Sequence, residues 1–370
     1  MNIRILLSVI GAIGVYNLLV FYIGWNGWIW LTHMTNMTNI FVYSAIVIFL
    51  AYSYVLSRLF HSITVFKVIG SYWLGFLQYA VLFLPVSNLV VFILSQSSIS
   101  MHQAIQWTGA GTLFVFAAIF IYGAYNAYSP VIRKYNMTIH KESGKHNTLR
   151  IAMASDMHFG TLSGINHLRK LVHHVNQIKP DIILLPGDII DDDPTPFIEK
   201  KMDKVMSEMN APLGVYGVLG NHEYYGGKIP EFLAQMKKIN IPILMDEIIK
   251  IDESFYLLGR KDKTDRSRKS FEELVDGLNE NLPLIAMDHQ PSSLQEAEKS
   301  NVDLLLCGHT HRGQMAPNHL ITNLIFELDW GYQKKNGFHT VVSSGFGFWG
   351  PPLRIGSRSE IIQIDITFVS

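Results

Sequence analysis

The chain has 370 residues, 30 basic and 30 acidic side chains, and only 16% charged residues, which is low for a wholly soluble protein. That balance argues against a surface built to grip nucleic acid by neutralising phosphates, and a lone cysteine, Cys307, excludes an intramolecular disulfide framework. The deficit is uneven: no Asp or Glu precedes Glu142, Lys and Arg before residue 129 are limited to Arg4, Arg58 and Lys67, and 27 basic and 30 acidic residues follow.

Four apolar stretches come first, at roughly residues 5–31, 40–60, 69–95 and 104–128. At about 1.5 Å per helical residue each is long enough to cross about 30 Å of hydrocarbon. A buried helical core would show charged faces, and these stretches show almost none. The first follows Arg4 as a signal peptide would, but it is too long for such a segment and three more follow. No acidic or basic side chain lies within the spans except Arg58 near an end, so the bundle reads as an anchor and not an ion path. Asn17, Asn26 and Gln78 are expected in hydrogen bonds between helices. Arg4, the pair Arg58 and Lys67, and the pair Arg133 and Lys134 mark one side, whereas the loops "THMTNMTN" and "SQSSISMH" carry neither Lys nor Arg. Cytoplasmic loops collect these residues. The expectation is a multi-pass cell-membrane protein surrounded by membrane lipids: an anchor over 1–128, a linker over 129–147, and a cytoplasmic domain over 148–370.

From residue 148 short β-branched and leucine-rich runs alternate with helical patterns, which predicts an α/β domain with a mostly buried sheet. The runs are "LRIAMASD", "DIILLPGD", "GVYGVLGN", "FYLLGR", "LPLIAMDH" and "VDLLLCGH". Their ends carry Asp156 and His158, Asp188 and Asp191, Asn221, His222 and Glu223, His289, then His309 and His311. Residues i and i+2 of an extended segment project to one side, so D-x-H and H-x-H each deliver two ligands together. Oxygen and imidazole donors without thiolate suit Mn²⁺, Fe²⁺ or Zn²⁺. Two such ions about 3.5 to 4 Å apart activate a shared water and clamp an in-line phosphoryl displacement, with Asp188 the natural bridging carboxylate.

With D-x-H, G-D-x-x-D, G-N-H-E, H and G-H-x-H in this order, residues from about 148 to 368 resemble the calcineurin-like metallophosphoesterase family, in its bacterial membrane-tethered branch. The resemblance implies a four-layer α/β/β/α sandwich behind the transmembrane helices. It puts Asp156, His158, Asp188 and His311 on a first metal, and Asp188, Asn221, His289 and His309 on a second. It casts His222 as the general acid and Asp191 as the carboxylate that orients it, with Glu223 a weaker candidate for that support. The implied reaction is attack by a metal-bridging hydroxide on a phosphoester or diphosphate; a membrane-anchored chain suggests a lipid-linked or nucleotide-sugar-lipid substrate. A non-catalytic metal-binding scaffold is the rival, but such a scaffold is expected to lose the acid or a ligand, and this chain keeps both.

Relatives of that branch often show Gly-Gly-Gln after the second histidine, where this chain has Arg312, Gly313 and Gln314. An arginine there suits a substrate phosphate. Arg260, at a strand end in "GRKDKTDRSRK", is a second candidate for the substrate, although the segment as a whole reads as a solvated loop. Trp330, Tyr332, Phe346, Phe348 and Trp349 read first as core and turn residues and second as a wall for an apolar substrate. Asp192 and Asp193 read as loop residues. His167, His173 and His174 read as helix residues, and His319 and His339 as having no metal role.

Overall fold

A computed structural model describes residues 3–35, 37–60 and 64–369. Asn36, in one of the loops used for orientation, and Ser370, the last residue of the expected domain, lie outside the described residues. The chain forms two compact units, Met1–Tyr122 and Gly123–Ser370.

The first unit is built from α1 (Ile3–Met34), α2 (Ile40–Leu59), α3 (Thr64–Ser95) and most of α4 (Met101–Tyr128). All four are long and apolar enough to cross a membrane. Large apolar side chains point outward, with Leu18, Phe41 and Phe114 at 69%, 84% and 74% exposure. That pattern suits hydrocarbon as the surrounding medium. Tyr52 Oη donates to Asn17 Oδ1 at 2.7 Å, tying α2 to α1. Asn26 instead donates to the Tyr22 carbonyl of its own helix.

The second unit runs β1 (Val131–Ile139), β2 (Thr148–Met153), α5 (Ile165–Ile178), β3 (Ile182–Pro186), α6 (Thr195–Glu199), α7 (Met202–Met206), β4 (Val215–Val218), α8 (Asn221–Gly226) and α9 (Ile229–Lys238). It continues with β5 (Glu247–Ile251), β6 (Phe255–Gly259), α10 (Phe271–Val275), β7 (Leu284–Met287), α11 (Leu294–Lys299), β8 (Leu304–Cys307), a 3₁₀ turn (His311–Gly313), α12 (His319–Ile325), β9 (Gly331–Lys335), β10 (Phe338–Val342) and β11 (Glu360–Phe368). One sheet has the order β1-β11-β2-β3-β4 and the other β5-β6-β7-β8-β10-β9, both mixed.

Alternation along the strands explains the layers. Ile182 and Leu184 of β3 meet Leu304 and Leu306 of β8 in the core between the sheets, with Ile151, Ile285 and Ile364. The intervening Ile183 and Leu185 face Leu168, Leu171, Met206 and Phe232 of the helices outside the first sheet. Leu305 and Cys307 face Phe271, Leu294 and Ala297 outside the second. Each such fully buried side chain stabilises by about 1.5–3 kcal/mol, so a period of two closes an α/β/β/α sandwich.

Two expected boundaries differ. About half of the expected linker is β1, which pairs in parallel with β11 from Val131↔Glu360 to Ile139↔Phe368. Its polar residues lie on the more exposed positions of an edge strand, while Met137 and Ile139 enter the core and Arg133 pairs with the buried Glu360. Only Ser129 and Pro130 then separate α4 from the sheet. The last turn of α4 also belongs to the second unit: Arg354 N–H donates to the Gly123 carbonyl at 2.9 Å, and Asn126 Nδ2 to the Arg354 carbonyl at 3.1 Å.

Candidate metal centre

The singled-out side chains emerge from loops that follow β2, β3, β4, β7 and β8. Asp156 N–H donates to the Gly187 carbonyl and His158 N–H to the Asp188 carbonyl, at 3.1 and 3.0 Å, so the first two loops ride side by side. Buried Glu223 accepts from the backbone N–H groups of Asp188, Ile190 and Gly220 at 3.2, 3.0 and 2.7 Å. It stitches the β3 and β4 loops together, and no hydrogen bond from it to the His222 ring occurs among the described residues. Asp156, His158, Asp188, His309, His311 and Arg312 all adopt left-handed backbone conformations, with φ between 45° and 73°. Such strain, about 1–3 kcal/mol per residue, persists only where the surroundings over-determine it.

The loops bring the donor atoms together. His158 Nε2 lies 3.0 Å from His311 Nε2 and 3.7 Å from Asp188 Oδ2, and His311 Nε2 lies 3.5 Å from Asp156 Oδ1. On the other side His289 Nε2 stands 3.1 Å from Asp188 Oδ2 and 3.2 Å from Asn221 Oδ1, which is 2.9 Å from His309 Nδ1. Asp188 is common to both groups. Asp156 Oδ2 is buried with no hydrogen-bonding partner among the described residues. At Gly308 an added Cβ would fall 2.2 Å from that oxygen, so only glycine lets the β8 loop close over it.

Electrostatics favour a cation. Burial lowers His158 and His309 to about 4 and holds His311 well below its usual range, so these imidazoles are neutral lone-pair donors at neutral pH. Burial pushes Asp156 up to about 6. It pushes Asp188 up as well, but the charges and hydrogen bond of His289, with His158 and His222, hold that carboxyl well below its usual value. Oxygen and imidazole donors converging from separate loops, with two ring nitrogens at 3.0 Å and an unpartnered buried carboxylate oxygen, fit divalent metal ions.

Two expectations differ from the structure. The carboxylate that accepts from His222 Nδ1 is Asp192, at 2.7 Å; Asp191 stands at 3.9 Å and lies among His158 and His222. The chain turns left-handed at Asp192, with φ of 44°, and this swings the second carboxylate under the ring. Burial would lower the His222 pKa, but the Asp192 hydrogen bond and the charges of Asp188, Asp192 and Asp191 outweigh it and raise it to about 9. Arg260 does not reach out for substrate: 4% exposed, it lies over Phe271 and pairs with Glu296 at 3.0 Å and Asp288 at 3.5 Å. Phe346 and Phe348 are core residues at 0% and 2% exposure, in keeping with the first of the two readings given to them. Trp349 is 55% exposed, and its ring centroid lies 6.1 Å from that of His222.

Arg312 lies with its guanidinium 3.9 Å from the Trp330 ring centroid; its backbone N–H donates to Thr310 Oγ1 at 3.1 Å, and no hydrogen-bonding partner for the guanidinium occurs among the described residues. Sequence reasoning missed Arg354. This fully buried arginine donates to the Gly347 carbonyl at 2.7 Å and stands 3.2 Å from His311 Nδ1. A charge in the otherwise apolar "GPPLRIG" was the available signal. His339 sits between Tyr332 Oη and the Thr138 carbonyl, and His167 reaches the Phe346 carbonyl, away from the cluster.

A family model described as calcineurin-like phosphoesterase matches residues 149–313. An uncharacterized metallophosphoesterase of Aquifex aeolicus is 31% identical over 265 residues, covering 69% of this chain and 98% of that one. The transmembrane protein with metallophosphoesterase domain of Bos taurus is 27% identical over 271 residues, which cover 68% of this chain but only 61% of the bovine protein. The purple acid phosphatase of yellow lupin aligns over 61% of this chain and 55% of its own, at 12% identity and a TM-score of 0.38. With the Aquifex relative matched over nearly its whole length, the chain belongs to the calcineurin-like metallophosphoesterase family.

Proposed function

We propose that this chain is a membrane-anchored two-metal hydrolase of phosphoester or diphosphate bonds, acting on a lipid-linked substrate from the cytoplasmic side. The observation that carries the reading is the convergence of neutral imidazoles and carboxylates around Asp188 in two groups. Asp156, His158, Asp188 and His311 would hold one divalent ion, and Asp188, Asn221, His289 and His309 the other. When bound, the ions supply positive charge for the phosphoryl oxygens and lower the pKa of water. His222 holds its proton through the carboxylates around it and delivers it to the leaving oxygen, while Asp192 fixes the ring from Nδ1. Arg312, stacked on Trp330 with its N–H edge unpaired, is the candidate to grip a substrate phosphate. The four long apolar helices motivate the lipid-linked substrate, and the basic residues Arg4, Arg58 and Lys67 motivate the cytoplasmic placement.

The test is hydrolysis of chromogenic phosphate mono- and diesters by the full chain in detergent with Mn²⁺, beside Asp188→Asn and His222→Ala. Turnover lost in both variants is the expected result. A folded, metal-loaded chain that turns over neither these esters nor a lipid-linked phosphodiester would sink the hydrolase reading in favour of a scaffold. Lipid-linked hydrolysis no faster than that of soluble nucleotides at matched concentration would overturn the substrate preference. His140→Cys labelled from outside intact cells would overturn the cytoplasmic placement.

A further inference from the structure

The short helix α12 has its apolar side on the outside. Leu320, Ile321, Leu324 and Ile325 are 58%, 57%, 87% and 66% exposed, and none of the seven residues of α12 is buried. Residues 313–326 contain no Asp, Glu, Lys or Arg. Clusters of exposed aliphatic side chains on a soluble surface are costly unless something apolar covers them.

Its inner side is tied to the metal centre. Thr322 Oγ1 donates to Asp329 Oδ2 at 2.7 Å, and the Asp329 carbonyl accepts from Thr310 Oγ1 at 2.5 Å; Thr310 stands between His309 and His311. The Phe326 ring, just after α12, meets the His309 imidazole edge-on at 6.0 Å. Gly313 holds φ of 69°, and an added Cβ there would fall 2.3 Å from the His319 nitrogen, so the helix start rests directly on the turn carrying His311.

We propose that α12 is a lipid-contacting element, which inserts Leu320, Ile321, Leu324 and Ile325 into a bilayer surface and so presents the metal centre to phosphate groups at that surface. A bilayer is the occupant because the same chain has four helices fit to cross one, and along the chain only Ser129 and Pro130 lie between α4 and β1. An uncharged helix with an aliphatic outer face suits the headgroup–acyl boundary. The inference rests on the lipid-linked reading of the substrate, but its test does not depend on catalysis.

Cys307 is fully buried, so an introduced surface cysteine can be labelled selectively. The full chain carrying Leu324→Cys with an environment-sensitive fluorophore is reconstituted into phosphatidylcholine vesicles, with or without a nitroxide on the acyl chain. Lys237→Cys, on α9 beside the other sheet, is the control. For a helix lying about 5–10 Å into the boundary, the position-324 label shifts its emission to the blue and loses about half or more of its intensity to the nitroxide, whereas the control does not. Solvent-like, unquenched emission at 324 overturns the proposal. So does a blue shift that nitroxide leaves intact and that grows with protein concentration, which would mean a second copy of the chain covers the helix. Ile321→Glu with Leu324→Glu is expected to cut the rate on a vesicle-borne phosphodiester about tenfold relative to the rate on a soluble chromogenic ester. Equal losses on both substrates would overturn the presenting role. Quenching without any hydrolysis would retire the hydrolase reading and leave the lipid contact standing.

Discussion

His222 donates from Nδ1 to Asp192 at 2.7 Å, and Asp191, the carboxylate to which the family resemblance gives this task, lies 3.9 Å from the same nitrogen. Asp192→Ala should therefore lower kcat on a chromogenic diester by about 10- to 100-fold with little change in KM, because the ring loses the contact that orients it. Asp191→Ala should lower kcat less. Kinetics in which the two variants rank the other way would return the orienting role to Asp191.

Glu223 holds three backbone donors of two loops at once. Removing its carboxylate leaves these donors buried and unpaired, at about 1 kcal/mol or more each. Glu223→Ala should destabilise the domain by at least about 3 kcal/mol by that reckoning, seen as a lower unfolding temperature of the full chain in detergent. Glu223→Gln, which keeps one acceptor oxygen, should fall between the two. An unchanged unfolding temperature for the alanine variant would show that the loops stand without the stitch.

The space above Asp156 admits only a glycine at position 308. Gly308→Ala should weaken Mn²⁺ binding about tenfold or more, as displaced ligands do at other metal sites. Mn²⁺ at about 100 times its dissociation constant should stabilise the wild-type chain by about 2.7 kcal/mol, and the variant should gain less at the same concentration. Calorimetric titration with Mn²⁺ measures the affinity directly; equal affinities would mean that the loop relaxes around the methyl group.

His167 is 3% exposed, stacks on Phe346 at 4.2 Å, and has its pKa lowered to about 4, chiefly by burial. Between pH 4 and 6.5 the unfolded chain therefore binds the proton that the folded chain refuses. The stability tied to the neutral ring is complete above about pH 6.5 and is lost as pH falls towards 4, about 3 kcal/mol in all. His167→Phe should flatten the fall in unfolding temperature between pH 7 and 4.5. A slope as steep as that of the wild type would assign the acid sensitivity to other groups.

Some of this was written in local spacing. Asp156 with His158, and His309 with His311, sit two residues apart just past strand ends, although left-handed turns at all four, and not an extended backbone, aim them into the cluster. The apolar lengths of α1 to α4 needed only a count against the thickness of a bilayer. The alternation of Ile182 to Leu185 likewise marked a strand buried on both faces before any partner was known.

What spacing left open turned on contacts far apart in the chain. The segment 131–139 is polar enough to pass for a linker, and becomes a strand because β11, more than 220 residues later, supplies its hydrogen bonds and Glu360 its counter-charge. Arg260 looked available until Glu296 and Asp288 closed on it, and Arg354 gained meaning only when the fold brought His311 to its guanidinium. The choice of Asp192 over Asp191 depended on a single left-handed turn. Periodicity and ligand spacing are properties of neighbours along the chain and survive in one dimension. Which carboxylate meets which imidazole is a matter of ångströms between separate loops, and only tertiary packing decides it.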